Sequence, residues 1–306
     1  MDVSIIIVNY NTLALTQQCI DSIFSQTYSL EFEVILVDNG STDGSKEHFE
    51  KDKRISYIYS KENLGFGRAN NLGYTKAKGD FLFLLNSDTY LQNNAVYLLW
   101  KGIKEENERT HDVACAGCML RNKEGKIIHS YAKFPSMIST VFGCSIYVIL
   151  WKLHIIKSLP SSDNYEYNLR KDSTAFDVDY ITGAALMVPR NIANRHGLFS
   201  PDFFMYYEET EMEHRYMKYG LRRIILISPQ IVHLVGKSNT KDSPKRATMV
   251  IRSHFLYFKK TSRCVAYAFY KPIFKFAYIT TYAICFPFVH GGNKAKWNHL
   301  VSVLKM

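Results

Sequence analysis

Ser4-Ile5-Ile6-Ile7-Val8-Asn9-Tyr10-Asn11 begins as an unbroken apolar run and stops abruptly at a polar cluster. A parallel strand buried on both faces reads this way, because helices cover both sides of the sheet and no position is spared for solvent. The pattern recurs. Glu33–Val37 (EVILV) ends at Asp38-Asn39-Gly40-Ser41, and Phe81–Leu85 (FLFLL) ends at Asn86-Ser87-Asp88, with a shorter strand at Ile55–Tyr59 between them. The intervening segments have helical spacing. Thr12 or Thr16 is placed to cap a helix that carries Leu15, Cys19, Ile20 and Ile23 on one face. A second helix starts at Thr42, and a third runs from Gly67 to Lys78, broken by Gly79-Asp80.

Strands alternating with helices over short connections predict an α/β fold with a doubly wound, mostly parallel sheet. Ligands of such sheets bind beyond the carboxyl ends of the strands. The polar clusters at Asn9, Asp38 and Asn86–Asp88 all fall on such ends, which makes them candidate ligand contacts. After Cys118 the pattern loosens, and residues 121–178 carry no assignable periodicity. Order returns at Asp179–Val188, then in a helix within Phe203–Gly220, then in a strand over Arg223–Ile227, with His233 just past it.

The 306 residues suffice for one large domain or two modest ones. A charged fraction of 22% with 47% hydrophobic residues excludes a disordered chain. The net charge of +10 points to an anionic partner: nucleic acid, a nucleoside diphosphate or anionic lipid. No nucleic-acid-binding motif accompanies it. Cys115 and Cys118 form a C-x-x-C, but the apolar run VACAGCML has no second Cys or His pair at zinc spacing and reads as a buried strand. Free thiols, and a first segment that is a strand rather than a signal peptide, give a cytoplasmic expectation.

Each candidate site has an ordinary structural reading beside the functional one. Asp38 in Asp-Asn-Gly-Ser suits a turn, and it also suits a nucleobase N–H or a ribose hydroxyl. Asp88 terminates a strand, and it can also ligate a divalent cation shared with a diphosphate. Glu208, Glu209 and Glu211 favour the amino end of a helix that Gly220 closes. Glu208, Glu211 and Arg215 share one helical face, while Glu209 turns toward the aromatic run Phe203–Tyr207, a setting that tunes a carboxylate as a general base. A lone histidine such as His233 on an apolar segment is more often a core residue than a ligand, yet a neutral imidazole also partners a carboxylate at a metal.

Taken together, SIIIVNYN (4–11), VILVDNGSTDGS (34–45), ENLGFGRANNLG (62–73), GDFLFLLNSDT (79–89), DYITGAALMVPR (179–190), FFMYYEETEMEHR (203–215) and the turn from His233 to Ser238 resemble the inverting glycosyltransferases of family 2. These have the GT-A fold, and the rhamnosyltransferase-like branch is most similar. The resemblance implies a GT-A domain over residues 1–240, with a nucleotide-sugar half (1–118) and an acceptor half (119–240). Asn9, Asn11 and Asp38 would then hold base and ribose, and Asn63, Gly65, Arg68 and Asn71 would line the nucleotide pocket, Arg68 reaching phosphate. Asn86, Ser87 and Asp88 would stand at the D-x-D motif, with Asp88 and His233 binding Mg²⁺ or Mn²⁺. Glu209, with Glu208 beside it, would be the base, and Glu211 and Arg215 would shape the acceptor site or brace the helix.

Two residues depart from the family pattern. The D-x-D motif keeps one acid, and the base position, usually Asp, is a Glu. The implied activity is transfer of rhamnose or another hexose from a dTDP- or UDP-linked donor to a glycan or lipid-linked acceptor in surface polysaccharide synthesis. The alternatives are a catalytically degenerate nucleotide- or glycan-binding module, and a nucleotidyltransferase. The latter lacks its glycine-rich phosphate loop, since Asn9-Tyr10-Asn11-Thr12 is none. Residues 241–306 fall outside the resemblance. Their interleaved Lys and aromatic residues are expected either to pack on the domain or to lie on an anionic membrane surface, the uninterrupted apolar part (276–286) being too short to span one.

Overall fold

The computed structural model describes residues 1–144, 174–234, 244–286 and 292–306. These form two compact units. The first comprises residues 1–133, 174–204 and 208–234 of the described chain, and the second comprises 134–144, 205–207, 244–286 and 292–306.

In the first unit the apolar runs become the strands β1 (Val3–Asn9), β2 (Phe32–Asp38) and β4 (Phe81–Asn86), with β3 (Ser56–Tyr59) and β5 (Thr89–Leu91). Later strands are β6 (Val113–Arg121), β7 (Tyr131–Ala132), β8 (Ala175–Asp177), β9 (Tyr180–Ile181), β10 (Ala185–Pro189) and β11 (Arg222–His233). The main sheet has the order β3-β2-β1-β4-β10-β6-β11-β5, with β8 on β11, while β7 and β9 pair separately. Strands β3, β2, β1 and β4 are mutually parallel, and β6 is parallel to β11. Between the two parallel groups, β10 runs antiparallel to both β4 and β6.

Alternation along β1 divides the core. Ile5 and Ile7 face a cluster with Cys19, Ile20 and Ile23 of α1 (Leu13–Gln26) and Val96, Leu99 and Ile103 of α4 (Ala95–Thr110). Ile6 faces the other side, with Ala69 of α3 (Phe66–Tyr74), Ala193 of α6 (Arg190–His196) and Met212 and Tyr216 of α7 (Glu208–Lys218). Each Ile, Leu, Val or Met side chain taken fully from water here contributes about 1.5–3 kcal/mol. The short α2 (Ser45–Phe49) follows β2, beginning three residues after Thr42. Cys115 and Cys118 are buried thiols within β6.

The strand expected over Arg223–Ile227 continues to His233, which is therefore its last residue. A register shift between Leu226 and Ile231 carries the strand past Pro229, whose missing N–H breaks the ladder without ending the pairing. Helix α3 starts at Phe66 and stops at Tyr74, short of Lys78. Thr12 sits at the cap of α1, but its hydroxyl donates to Asn9 and caps no helix N–H.

The second unit contains α5 (Met137–Cys144), α8 (Pro244–Thr261), α9 (Cys264–Cys285) and α10 (Asn293–Lys305). Its centre is aromatic. His254 is buried among Phe258, Tyr270 and Phe274, with Nδ1 3.1 Å from the Tyr207 hydroxyl and Nε2 bonded to the Tyr270 hydroxyl. His299 bridges the hydroxyls of Thr248 (2.7 Å) and Tyr278 (3.0 Å). No helix among the described residues is long and apolar enough to cross a membrane.

Candidate active site

The carboxyl ends of β1, β2 and β4 are level. Asn9 pairs with Asp38, and Val8 pairs with Asn86. The side chains there are cross-linked below the surface. Asn9, fully buried, accepts at Oδ1 from the hydroxyls of Thr12 (2.8 Å) and Thr16 (2.9 Å) and donates from Nδ2 to Ser41 (3.1 Å). The Asp38 carboxylate is also fully buried, receiving the Ser41 N–H (2.9 Å) and the Tyr57 hydroxyl (2.9 Å). Burial, then the hydrogen bond to Asp38, push the Tyr57 phenol up, so it remains a donor. Asn11 has a left-handed backbone (φ 54°), and its Oδ1 receives the Thr42 N–H at 2.7 Å. Ser87 joins the network through Thr12, 3.0 Å away. The strand ends thus form a polar floor held in one arrangement.

One wall of the site is the loop leading into α3. Asn63 accepts the Gly65 N–H (2.9 Å) and the Asn39 amide (3.0 Å), and Asn39 in turn accepts the Leu64 N–H (2.8 Å). Gly65 has φ +83°, and a Cβ there would lie 2.0 Å from the Phe204 carbonyl oxygen, which accepts the Phe66 N–H at 2.9 Å. Only glycine fits both constraints. Asn39 did not stand out in the sequence because Asp-Asn-Gly-Ser reads as a turn.

Two residues expected on the nucleotide pocket brace the scaffold. Asn71 clasps the main chain of Phe199 through both ends of its amide (2.7 and 3.2 Å). Arg68 donates from Nε to the Pro201 carbonyl (2.6 Å), keeping its remaining guanidinium donors.

The Asp88 carboxylate lies 3.1 Å from His233 Nε2, a contact set by the pairing of Thr89 with His233 across β5 and β11. Leu234 donates its N–H to the Asp88 carbonyl (2.8 Å), closing the turn. Among the described residues, no group of three or more His, Cys, Asp or Glu side chains forms a metal cage. A carboxylate oxygen beside an imidazole nitrogen nevertheless fits a divalent cation whose other ligands come from water or a diphosphate.

Helix α7 starts with Glu208, Glu209 and Glu211, whose charges favour its amino end. It follows two consecutive non-glycine residues in the left-handed region, Tyr206 (φ 72°) and Tyr207 (φ 68°), a conformation concentrated at functional turns. Glu208 packs on Gly67 of α3. The half-buried Glu209 faces Gly183, the residue before Ala184, whose carbonyl receives the Asn86 N–H (2.9 Å). That contact brings Glu209 to the end of β4 from which Asp88 follows. Burial raises the Glu209 carboxyl above its ordinary value, against the pull of its own and Thr210's amides.

Glu211 and Arg215 pair at 3.4 Å, and Arg215 also donates to the carbonyls of His196, Gly197 and Leu198, tying α7 to the end of α6. Glu213, overlooked in the sequence, is fully buried one turn below Glu209. Its carboxyl receives the Ile181 N–H (2.9 Å) and the Cys115 thiol (3.6 Å), and burial raises it well above the usual range. An acid at that position reads as solvent-facing until its neighbours are known.

A family model described as Glycosyl transferase family 2 matches residues 4–180. Glycosyltransferase GlyG of Streptococcus pneumoniae is 31% identical over 109 residues, 34% of this chain and 36% of the relative. GlyA of the same organism is 36% identical over 161 residues, 51% of this chain and 22% of the relative. The chain thus spans about a third or less of the length of these curated relatives. A mannosyltransferase from Pyrobaculum calidifontis, solved with GDP-Man and Mn²⁺, superposes with a TM-score of 0.57 at 16% identity, over 99% of this chain and 86% of that one. S. aureus TarS 1–349, solved with UDP-GlcNAc, gives a TM-score of 0.54 at 16% identity, over 99% and 80%. These likenesses concern the fold, which is GT-A. With the family model covering more than half of its residues, the chain belongs to glycosyl transferase family 2.

Proposed function

We propose that this chain is an inverting glycosyltransferase that moves a sugar from a nucleoside-diphosphate donor to a hydroxyl of a glycan or lipid-linked acceptor. The observation that carries the reading is the packing of the half-buried Glu209 against Gly183, next to the Ala184 carbonyl that bonds Asn86, two residues before the Asp88 of the Asp88–His233 pair. The nucleotide rests on the floor shaped by Asn9, Asn11 and Asp38, walled by Asn63 and Gly65. Arg68 offers its spare N–H groups to phosphate, and Asn71 keeps that wall in register. Asn86 and Ser87 position the turn that presents Asp88.

Asp88 and His233 would hold Mg²⁺ or Mn²⁺, and the cation, when bound, offsets charge on the departing diphosphate. Glu209 takes the proton from the acceptor hydroxyl as its oxygen bonds to the anomeric carbon. The bond to the diphosphate oxygen breaks on the opposite face, the electron pair leaves with the nucleotide, and configuration inverts. Glu208 supports the turn that carries Glu209, and Glu211 and Arg215 fix the helix that borders the acceptor.

Rhamnose carried on dTDP is the first donor to test, by likeness of the motifs. UDP- and GDP-linked sugars come next, because the structural neighbours were solved with them. A role at the inner face of the cell membrane, in surface polysaccharide synthesis, suits a lipid-linked acceptor. The test is thermal stabilisation by a panel of nucleotide sugars with and without Mn²⁺, followed by product analysis. A Mn²⁺-dependent rise that Asp88→Asn abolishes, with an inverted product, is expected. A nucleotide-dependent rise without turnover on any acceptor would instead favour the binding-module reading, which the longer side chain of Glu209 supports.

A further inference from the structure

Residues 244–306 contain eleven Lys and Arg and no Asp or Glu. The chain's net charge of +10 is therefore more than accounted for by this segment, and the rest is close to neutral. The catalytic reading uses none of these charges.

Within the second unit, several of them converge on one cavity of about 420 Å³. Arg252 and Lys259 enter from α8, Tyr267 and Lys271 from α9, and Ser302 and Lys305 from α10. No acidic side chain lines it. Among the described residues, none of the four bases pairs with a carboxylate, although Lys271 stands 5.7 Å above the Phe255 ring. Two hydroxyls and four cations lining one recess suit an anionic phosphate group by sign of charge and by donor chemistry.

The same unit exposes an apolar face. Val265, Phe269, Ile273, Phe276 and Ile284 of α9, at spacings of three, four and eight residues, are 55–74% exposed. They form one stripe along a helix of 22 residues, about 33 Å long. Lys271 and Lys275 flank it, half-buried, and Lys275 Nζ donates to the Leu304 carbonyl (2.6 Å). On α10, Trp297, Val301 and Leu304 are also exposed. A helix with an apolar face, basic flanks and an exposed Trp nearby suits the boundary between acyl chains and headgroups, and is not apolar enough to span a bilayer.

We infer that the second unit docks on an anionic phospholipid bilayer. The α9 stripe enters the acyl boundary, and the cavity between α8, α9 and α10 takes a lipid phosphate. The occupant follows from charge complementarity: a neutral surface would leave this unit's excess of eleven bases unmatched. The inference deepens the proposed function, because a docked enzyme meets lipid-linked acceptors in two dimensions, but its test needs no turnover.

The full chain is floated with vesicles of phosphatidylcholine alone and of phosphatidylcholine mixed with phosphatidylglycerol, without donor, at low and high salt. Co-flotation with the mixed vesicles at low salt is expected, with little on phosphatidylcholine. Each base near the surface is worth about a fivefold change in partition. Replacing Arg252, Lys259 and Lys271 together by Gln should therefore lower partition on the order of a hundredfold. Replacing Lys51, Lys53 and Lys123 of the first unit by Gln should change it little. Phe269→Ser with Phe276→Ser should remove the binding that survives high salt. Circular dichroism confirms that each variant is folded.

Equal flotation with both vesicle types would overturn the inference, as would a first-unit triple variant that loses as much. Inorganic phosphate that stabilises the protein through the three bases, with no flotation, would assign the cavity to a soluble anion and equally overturn it. Flotation by a protein inactive on every donor would retain the docking and discard the transferase reading.

Discussion

Gly65→Ala tests the close approach of two loops, with Gly125→Ala as a comparison in open space. Gly125 also has a positive φ (+79° against +83°), but Gly65 is extended in ψ (177°), a region essentially reserved for glycine, while a Cβ at Gly125 meets nothing within 4 Å. Gly125→Ala should therefore cost only the left-handed penalty of about 1–2 kcal/mol. At Gly65 the added methyl would lie 2.0 Å from the Phe204 oxygen, so the two loops must part by about 1.4 Å before ordinary contact at 3.4 Å is restored. That movement also breaks the Phe66 N–H bond to Phe204, worth about 1 kcal/mol. With about 1–3 kcal/mol for its backbone region, Gly65→Ala should then lower stability by about 2–4 kcal/mol. At roughly 2–4 °C per kcal/mol, this places its melting point about 4–16 °C below wild type, and that of Gly125→Ala about 2–8 °C below.

Activity should diverge further. Phe204 lies five residues before Glu209, and a displacement on the order of 1 Å in a positioned group costs about a hundredfold in rate. Thermal unfolding paired with initial rates of transfer measures both. If the two variants melt together and work equally well, the clasp between Gly65 and Phe204 has no energetic role and the reasoning fails.

Glu209→Gln should cost about 10²–10⁴-fold in rate with donor stabilisation intact. In wild type the rate should fall as pH drops through a value above the ordinary Glu figure of 4.5, since burial raises that carboxyl and only its ionised form accepts a proton. A pH–rate profile level down to the ordinary range would exclude Glu209 as the base. Burial lowers His254 from 6.5 to about 4, so the unfolded chain protonates first on acidification. Stability of the second unit should decline between those values by about 3 kcal/mol. His254→Phe should flatten that decline while lowering stability at neutral pH, and an unchanged acid profile in denaturant titrations would contradict it. Glu213 behaves in the opposite sense, because its folded carboxyl holds the proton that the unfolded chain releases, so its contribution is lost as pH rises. Glu213→Gln should raise the melting point more near about pH 8 than near about pH 4, and equal shifts at both would refute this.

The strands most legible in the sequence were those buried on both faces. Apolar runs at Ser4–Val8, Glu33–Val37 and Phe81–Leu85 fall within one or two residues of β1, β2 and β4, because burial on both sides leaves no ambiguity of pattern. The antiparallel insertion of β10 was not legible, since five apolar residues carry no mark of direction. Pro229 concealed the continuation of β11, and with it the fact that His233 is delivered by a strand to Asp88. Sequence spacing brought Asn9, Asp38 and Asp88 to one edge. It did not show that Asn71 clasps Phe199 or that Glu213 is buried, because both depend on what a helix packs against. Residues 145–173, within the stretch where no periodicity was found, and Ser238 lie outside the described residues.

The reversed strand at the centre of the sheet also bears on how the chain is made. Ala185 pairs with Leu85, a hundred positions earlier, so the middle of the sheet cannot close until most of the first unit has left the ribosome. Contacts so distant along the chain form late, since their loop-closure cost falls due before their reward. Until then the edges of β4 and β6 are open, a state in which nascent chains are most prone to pair wrongly. Closure sets Ala184 against Asn86, and Glu209 packs against the neighbouring Gly183. The polypeptide thus acquires its candidate base in the same late event that seals its most vulnerable edges.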